Sequence, residues 1–292
     1  MPEYSRAKIQ SWIKAGYVTV DGKIARAKDK IRSDQTVSIN ATVTAVTTSE
    51  PQAIALDIIY ADPDIIVINK PAGLVVHPGA GQADHTLLNA LLYHYPELAN
   101  IPRAGIIHRL DKDTSGLLVV TRNLTAHTKL VAALQKRKIK REYAAIVNGV
   151  MTTGGTIEAP IGRHPVKRTH MAVKESGKPA TTHYRIIKRF PAHTYLRVIL
   201  ETGRTHQIRV HLAHIGYPIV GDPTYGKGLK IPAKCSVVLR QTLESFKRQA
   251  LHAERLGLKH TTTSQLMEWE VKPPEDMKNL LQILSQTPDE NK

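Results

Sequence analysis

The chain has 292 residues, enough for about two domains, and 41 Lys and Arg against 25 Asp and Glu give it a formal charge of +16. A hydrophobic fraction of 41% excludes a disordered chain, the single cysteine Cys235 excludes a disulfide framework or a Cys-based zinc site, and no apolar run is long enough for a membrane span. The charge points to a polyanion, and to nucleic acid before a membrane surface, because no basic amphipathic helix with Trp or Phe on its apolar face accompanies it. Residues 1–6 lack the apolar stretch of a signal peptide, so a cytoplasmic protein is expected.

In chain order, residues 1–48 read as a small front module. Ile9, Trp12 and Ile13 recur at helical spacing, with Ser5 as cap and Gly16 as stop. Residues 17–24 alternate as a strand turned by Asp21-Gly22, and residues 35–39 form another. The Thr- and Ala-rich stretch 41–53 reads as a linker to a second domain over 49–286, with 287–292 a frayed tail. In that domain the apolar runs predict strands over 65–69, 117–121, 143–148, 182–188 and 195–200. Helices are predicted over 86–93, 126–137 and 205–215, the last from Ile208, Leu212 and Ile215 with Gly216 as its stop. Gly154-Gly155 suggests a hairpin. Strand pairs on short turns, rather than regular strand–helix alternation, predict an α+β domain with a mixed, mostly antiparallel sheet and flanking helices.

Several polar segments are candidates for function. Gly79-Ala80-Gly81 lacks the third glycine of a phosphate loop and reads as a loop entering a helix. His206, His211 and His214 do not share one helical face, so core or RNA-facing histidines are expected rather than a metal site. The run containing Lys136, Arg137, Lys138 and Lys140 is either a solvated helix end or a phosphate clamp. Arg163, Lys167 and Arg168, with His164 and His170, fall in an expected loop and point to RNA contact. Residues 103–116 form a polar cluster between apolar runs, where a scaffold exposes chemistry. Spacing alone chooses neither Asp111 over Asp113 nor catalysis over turn capping.

Residues 105–120, Gly-Ile-Ile-His-Arg-Leu-Asp-Lys-Asp-Thr-Ser-Gly-Leu-Leu-Val-Val, resemble the central motif of the large RNA pseudouridine synthase family. Three further stretches resemble its other motifs, in order: Lys140-Arg141-Glu142-Tyr143, residues 201–212 from Glu-Thr-Gly-Arg-Thr-His-Gln to Val-His-Leu, and Arg248-Gln249-Ala250-Leu251-His252-Ala253. Residues 160–184 are similar to the type D branch acting on large-subunit ribosomal RNA. The front module resembles an S4 RNA-binding domain; the usual opening helix, with its Arg-Leu-Asp-x-x-Leu pattern, would fall before the first residue, so a shortened module or a late start is expected.

The resemblance implies an isomerase with no cofactor and no metal, which flips a uridine out of its stack. It implies that Asp111 is the essential carboxylate, attacking C1′ or deprotonating C2′, with Arg204 as its counter-ion. Tyr143 would stack on the uracil and reach the C5 proton, Ile107 and Leu251 would line the pocket, and Arg109 would fill the gap left by the flipped base; His108 is given no chemical step. The implied partner is ribosomal RNA of the large subunit or its assembly particle, with the stem-loop called helix 69 as target and the protein a monomer. A non-catalytic RNA-binding factor and the same enzyme acting on transfer RNA are the competing readings.

Overall fold

A computed structural model describes residues 6–40, 49–79, 81–167, 169–226, 228–232 and 235–286. In the front module, α1 (Arg6–Lys14) places Trp12 in a small core with Val18 and Ala25. β1 (Val18–Val20) and β2 (Lys23–Ile24) pair across Asp21 and Gly22, both at positive φ, the backbone that a two-residue hairpin demands. β3 (Val37–Ile39) completes a sheet of order β2-β1-β3. The expected cap Ser5, most of the linker and the tail lie outside the described residues.

The rest of the chain runs β4 (Ile58–Ala61), β5 (Ile65–Lys70), α2 (Leu87–His94), β6 (Ser115–Thr121), α3 (Leu124–Gln135), β7 (Lys140–Asn148), β8 (Gly155–Glu158), β9 (Ile161–Arg163), β10 (Met171–Val173), β11 (Thr181–Arg189), β12 (His193–Leu200), α4 (Gln207–His214), α5 (Val237–Ser245), β13 (Leu251–Lys259), β14 (Leu266–Glu270) and α6 (Glu275–Gln286). Nine strands form one sheet of order β4-β5-β6-β13-β7-β12-β11-β8, with β14 added to β13. Among the described strands only β6 and β13 pair in parallel, so the sheet is mixed and mostly antiparallel. β9 and β10 make a separate two-stranded hairpin.

The unbroken apolar runs of β5 and β6 follow from burial on both faces. Ile66, Ile68, Leu118 and Val120 join the large core with Leu87, Leu88, Leu91 and Leu92 of α2. Their neighbours Ile65, Val67, Leu117 and Val119 pack into a second core with Leu130 of α3 and with Leu256 and Leu258 of β13. α2 is fixed at its start by Thr86, whose side chain and that of Asn89 satisfy each other's backbone N–H groups.

One expectation is corrected. Gly154-Gly155 does not join neighbouring strands, because β7 pairs with β12 and β13 while β8 crosses to β11 at the sheet edge. The glycines serve close packing instead: a Cβ at either would lie 2.9 Å from an oxygen of Tyr184.

Candidate active site

The site forms where β6 and β13 part. They pair only at Ser115–His252 and Gly116–Ala253. Gly116 has φ 110°, and a Cβ there would stand 2.2 Å from the Ala253 carbonyl oxygen, so no side chain fits the junction. Farther along, β14 takes the place of β6 beside β13. The edge that β6 leaves open is occupied by Ile106, which bridges to Val120, and by His108, whose Nε2 accepts the Val119 N–H at 3.1 Å. Burial holds the His108 imidazole down to about 3, the neutral form that this hydrogen bond needs.

Residues 109–114 then return to the start of β6, and their backbone is pinned at each step. Asp111 O accepts the Thr114 N–H at 3.1 Å. Lys112 O accepts from Lys70 Nζ at 2.9 Å and from the Gly73 N–H at 3.0 Å, and Asp113 O accepts from Arg248 Nη1 at 3.2 Å. Lys70 is wholly buried and also donates to Pro71 O and Leu74 O; burial pulls its amine down to about 7, against the attraction of Asp113 and Asp111. Arg248 is itself forked by Asp276 at 2.6 and 2.7 Å. The Asp111 side chain therefore projects from a loop with little freedom, and it is 16% exposed.

Its partner is Arg209, in the first turn of α4 (Nη1–Oδ2 3.1 Å). Arg209 Nε and Nη2 grip the wholly buried carboxylate of Asp222 at 2.7 and 2.9 Å, and the guanidinium lies over the Tyr225 ring, 5.1 Å from its centre. Burial opposes both charges, but the fork lowers the Asp222 pKa and raises that of Arg209. Gln207 anchors this end of the helix: Oε1 accepts from Thr202 Oγ1 and the Arg204 N–H, and Nε2 donates to Thr181 O and Thr182 Oγ1. Asp111 Oδ1 takes no hydrogen bond among the described residues; His206 Nε2 stands 3.9 Å from it.

The expected counter-ion is thus corrected from Arg204 to Arg209. Arg204 precedes the helix, and its Nε donates to Pro179 O at 3.1 Å rather than reaching the carboxylate. Arg209 lies in the buried run 207–212, where a charge needs a partner, but that burial is not legible in the sequence. Asp222, Tyr225 and Lys70 carried no mark either, because their roles emerge only from the folded contacts.

A cavity of about 820 Å³ brings together Asp111, Tyr143, Ile107, Leu251, Arg109 and Arg204. Tyr143, on β7 beside Ala253 and Val198, is 5% exposed, and burial pushes its phenol up. Leu251 is buried at the start of β13, and Arg109 is exposed at the rim. The cavity also includes Arg137 and Arg141. Arg137 is tied to Glu201, which also meets His183 Nε2 at 2.8 Å, while Lys136 and Lys138 are exposed. Lys140 is not brought to the cleft: it falls on the face of β7 opposite Tyr143 and pairs with Glu142 (3.2 Å) and Glu268 (3.5 Å), so Arg141 supplies the cleft charge. Arg163 and Lys167 are exposed around the β9–β10 turn, and Arg168 lies outside the described residues. His211 is a core residue bonded to Thr182 Oγ1 and Ala159 O. No group of three or more metal-ligating side chains converges among the described residues, and none of their helices is long and apolar enough to cross a membrane.

This arrangement presents a carboxylate fixed in direction by a guanidinium, one oxygen open to a cleft, a buried ring on the wall and a basic rim. It suits attack on, or proton removal from, a carbon beside a flat, stackable group attached to a polyanion.

The sequence profile of the RNA pseudouridylate synthase family matches residues 64–214, and that of the S4 domain matches residues 1–37. The chain is 58% identical to the ribosomal large subunit pseudouridine synthase D of Pseudomonas aeruginosa over 285 residues, covering 98% of this chain and 89% of that protein. It is 53% identical to the protein of that name from Escherichia coli strain K12 over 292 residues, covering 100% and 90%. Among solved structures, human RNA pseudouridylate synthase domain containing 4 aligns at a TM-score of 0.61 and 25% identity, covering 78% of this chain and 92% of that one. Human RNA pseudouridylate synthase domain containing 1 aligns at 0.58 and 26%, covering 84% and 100%.

Proposed function

The chain belongs to the RNA pseudouridylate synthase family, and on that premise we propose that it isomerises uridines of large-subunit ribosomal RNA, in the helix 69 stem-loop, with Asp111 as the acting carboxylate. The reaction breaks the bond from C1′ to N1, turns the uracil, joins C5 to C1′ and removes the C5 proton while N1 gains one, so the product is an isomer of the substrate. Asp111 Oδ1 opens the sequence by attack on C1′ or by taking the C2′ proton, while Arg209 holds the other oxygen and the direction of approach. Tyr143, which lines the cleft with Leu251 and Ile107, keeps the freed uracil stacked, and its phenol takes the C5 proton. Arg109 at the rim takes the space of the extruded base.

The observation that carries the reaction is the Asp111–Arg209 pair lining one basic cleft together with Tyr143. The RNA class rests on the bacterial relatives, both named for the ribosomal large subunit. The S4-like front module, residues 1–48, adds backbone affinity, and the exposed Lys136, Lys138, Arg163 and Lys167 extend the basic path; the enzyme acts as a monomer on free RNA or an assembling particle.

The test is pseudouridine mapping by carbodiimide-blocked primer extension on unmodified large-subunit RNA, with wild type and Asp111→Asn. Stops that appear with wild type and vanish in the variant, while the variant still binds, support the assignment and name the positions. Full activity of Asp111→Asn overturns the carboxylate's role, and stops on transfer RNA alone overturn the target.

A further inference from the structure

We propose that His206 recognises the ribose 2′-hydroxyl of the flipped nucleotide, its Nε2–H and Asp111 Oδ1 forming one donor–acceptor pair around that group. This rests on the reading that the substrate is a uridine in RNA. His206 holds a left-handed backbone (φ 56°, ψ 21°) just before α4 and makes no side-chain cap to the helix. A non-glycine residue in that conformation is strained, and here the strain aims the ring into the cleft.

The ring's tautomer follows from its neighbour. His206 Nδ1 lies 2.8 Å from Tyr225 Oη, and that same oxygen accepts the Met171 N–H at 2.9 Å. A tyrosine hydroxyl has one proton. With Met171 already donating, the arrangement that satisfies every group sends the Tyr225 proton to Nδ1 and leaves Nε2 protonated. Burial favours the neutral ring, against the attraction of Asp111.

Nε2 stands 3.9 Å from Oδ1, too far for a direct hydrogen bond, and Arg209 holds the other carboxylate oxygen. The N–H donor and the open acceptor thus lie 3.9 Å apart in residues that line the same cavity. A hydroxyl oxygen about 2.8 Å from each fits between them at an angle near 90°, donating to Oδ1 and accepting from Nε2. A ribose 2′-hydroxyl has both capacities and is what separates RNA from DNA at one position. It is borne by C2′, next to C1′, so seating it brings either reacting atom against Asp111. Tyr225 also stacks under Arg209, so one phenol orients both neighbours of the carboxylate.

The experiment compares two helix 69 stem-loops, one with ribose and one with 2′-deoxyribose at the loop uridines, as substrates of wild type, His206→Asn and Tyr225→Phe. Asn tolerates the left-handed backbone, and Phe keeps the ring under Arg209. Wild type is expected to favour the ribose strand in kcat/KM by about tenfold or more. His206→Asn is expected to bring that ratio to within about threefold by losing rate on the ribose strand alone, with Tyr225→Phe between the two. Equal losses on both strands, an unchanged ratio, or no preference in wild type overturns the proposal. If His206→Asn fails to fold, Tyr225→Phe gives the same ratio with His206 in place. A wild type that converts neither strand strikes the preceding reading instead, and the ribose preference is then read as the ratio of dissociation constants for the same strands.

Discussion

Arg209 and Asp111 meet at 3.1 Å although 98 residues separate them, and the arginine comes to that contact already forked onto buried Asp222. The carboxylate of the cleft is thus positioned from the core. Arg209→Lys keeps the charge but not the fork, and is expected to lower turnover at least about a hundredfold. Arg209→Ala leaves Asp222 buried and unpaired, at about 3–5 kcal/mol of stability. Arg204→Gln, by contrast, is expected to change kcat by less than about threefold and to act on RNA affinity. Steady-state kinetics with urea melts separate the three; an Arg204 variant as slow as Arg209→Lys returns the counter-ion's role to Arg204.

Tyr143 is buried, and burial pushes its phenol up, so it is protonated at neutral pH. Tyr143→Phe is expected to bind RNA as wild type does and to lose about 10²–10⁴ in turnover, with wild-type rate rising towards alkaline pH and the variant flat. A Phe enzyme at near-normal rate would confine Tyr143 to stacking.

Lys70 is the joint between the 71–74 turn and the loop carrying Asp111. Lys70→Met strips the Nζ donor from three carbonyls, and is expected to lower stability by about 2–4 kcal/mol. It should also reduce kcat while KM stays within about twofold. Loss of stability with kcat intact would show that the loop holds its shape without the lysine.

His108 and His252 are held neutral by burial, at about 3 and about 4, and their hydrogen bonds with Val119 and with Ser115 and Val271 fit the neutral ring. Because these values lie below that of an unfolded histidine, near 6.5, the unfolded chain binds protons first as pH falls. Stability is therefore complete above about pH 6.5 and falls towards pH 4, by up to about 3 kcal/mol for His252 alone. Chemical denaturation at stepped pH is expected to show this slope, flattened in His252→Gln. A wild type equally stable at pH 7 and pH 4.5 contradicts it.

Much of this was legible where local pattern and burial agree. The runs of β5 and β6, the Asp21-Gly22 hairpin and the Thr86 start of α2 follow from periodicity and turn chemistry. β13 was not, because Glu254 and Arg255 interrupt its apolar run where a bulge shifts its register against β7. α6 was legible but unread: Met277, Leu280 and Leu284 form its buried stripe. In the site, family motifs located the loop of Asp111, the ring of Tyr143 and the wall of Leu251. Choosing between Arg204 and Arg209 required the pairing with Asp222, which no sequence spacing records.

The position of β13 has a consequence for synthesis. As the chain is made from its N-terminus, β4, β5 and β6 emerge as one group and β7, β8, β11 and β12 as another, each with an unpaired edge where β13 will lie. Only when residues 251–259 arrive do the halves become one sheet, and Leu251 enters the cleft in the same event. Completion of the sheet must wait for residues 251–259, through contacts of long sequence separation. A nascent chain halted before Leu251 carries Asp111, Tyr143 and Arg209 but lacks both the strand that joins the two halves of the sheet and one wall residue of the cleft.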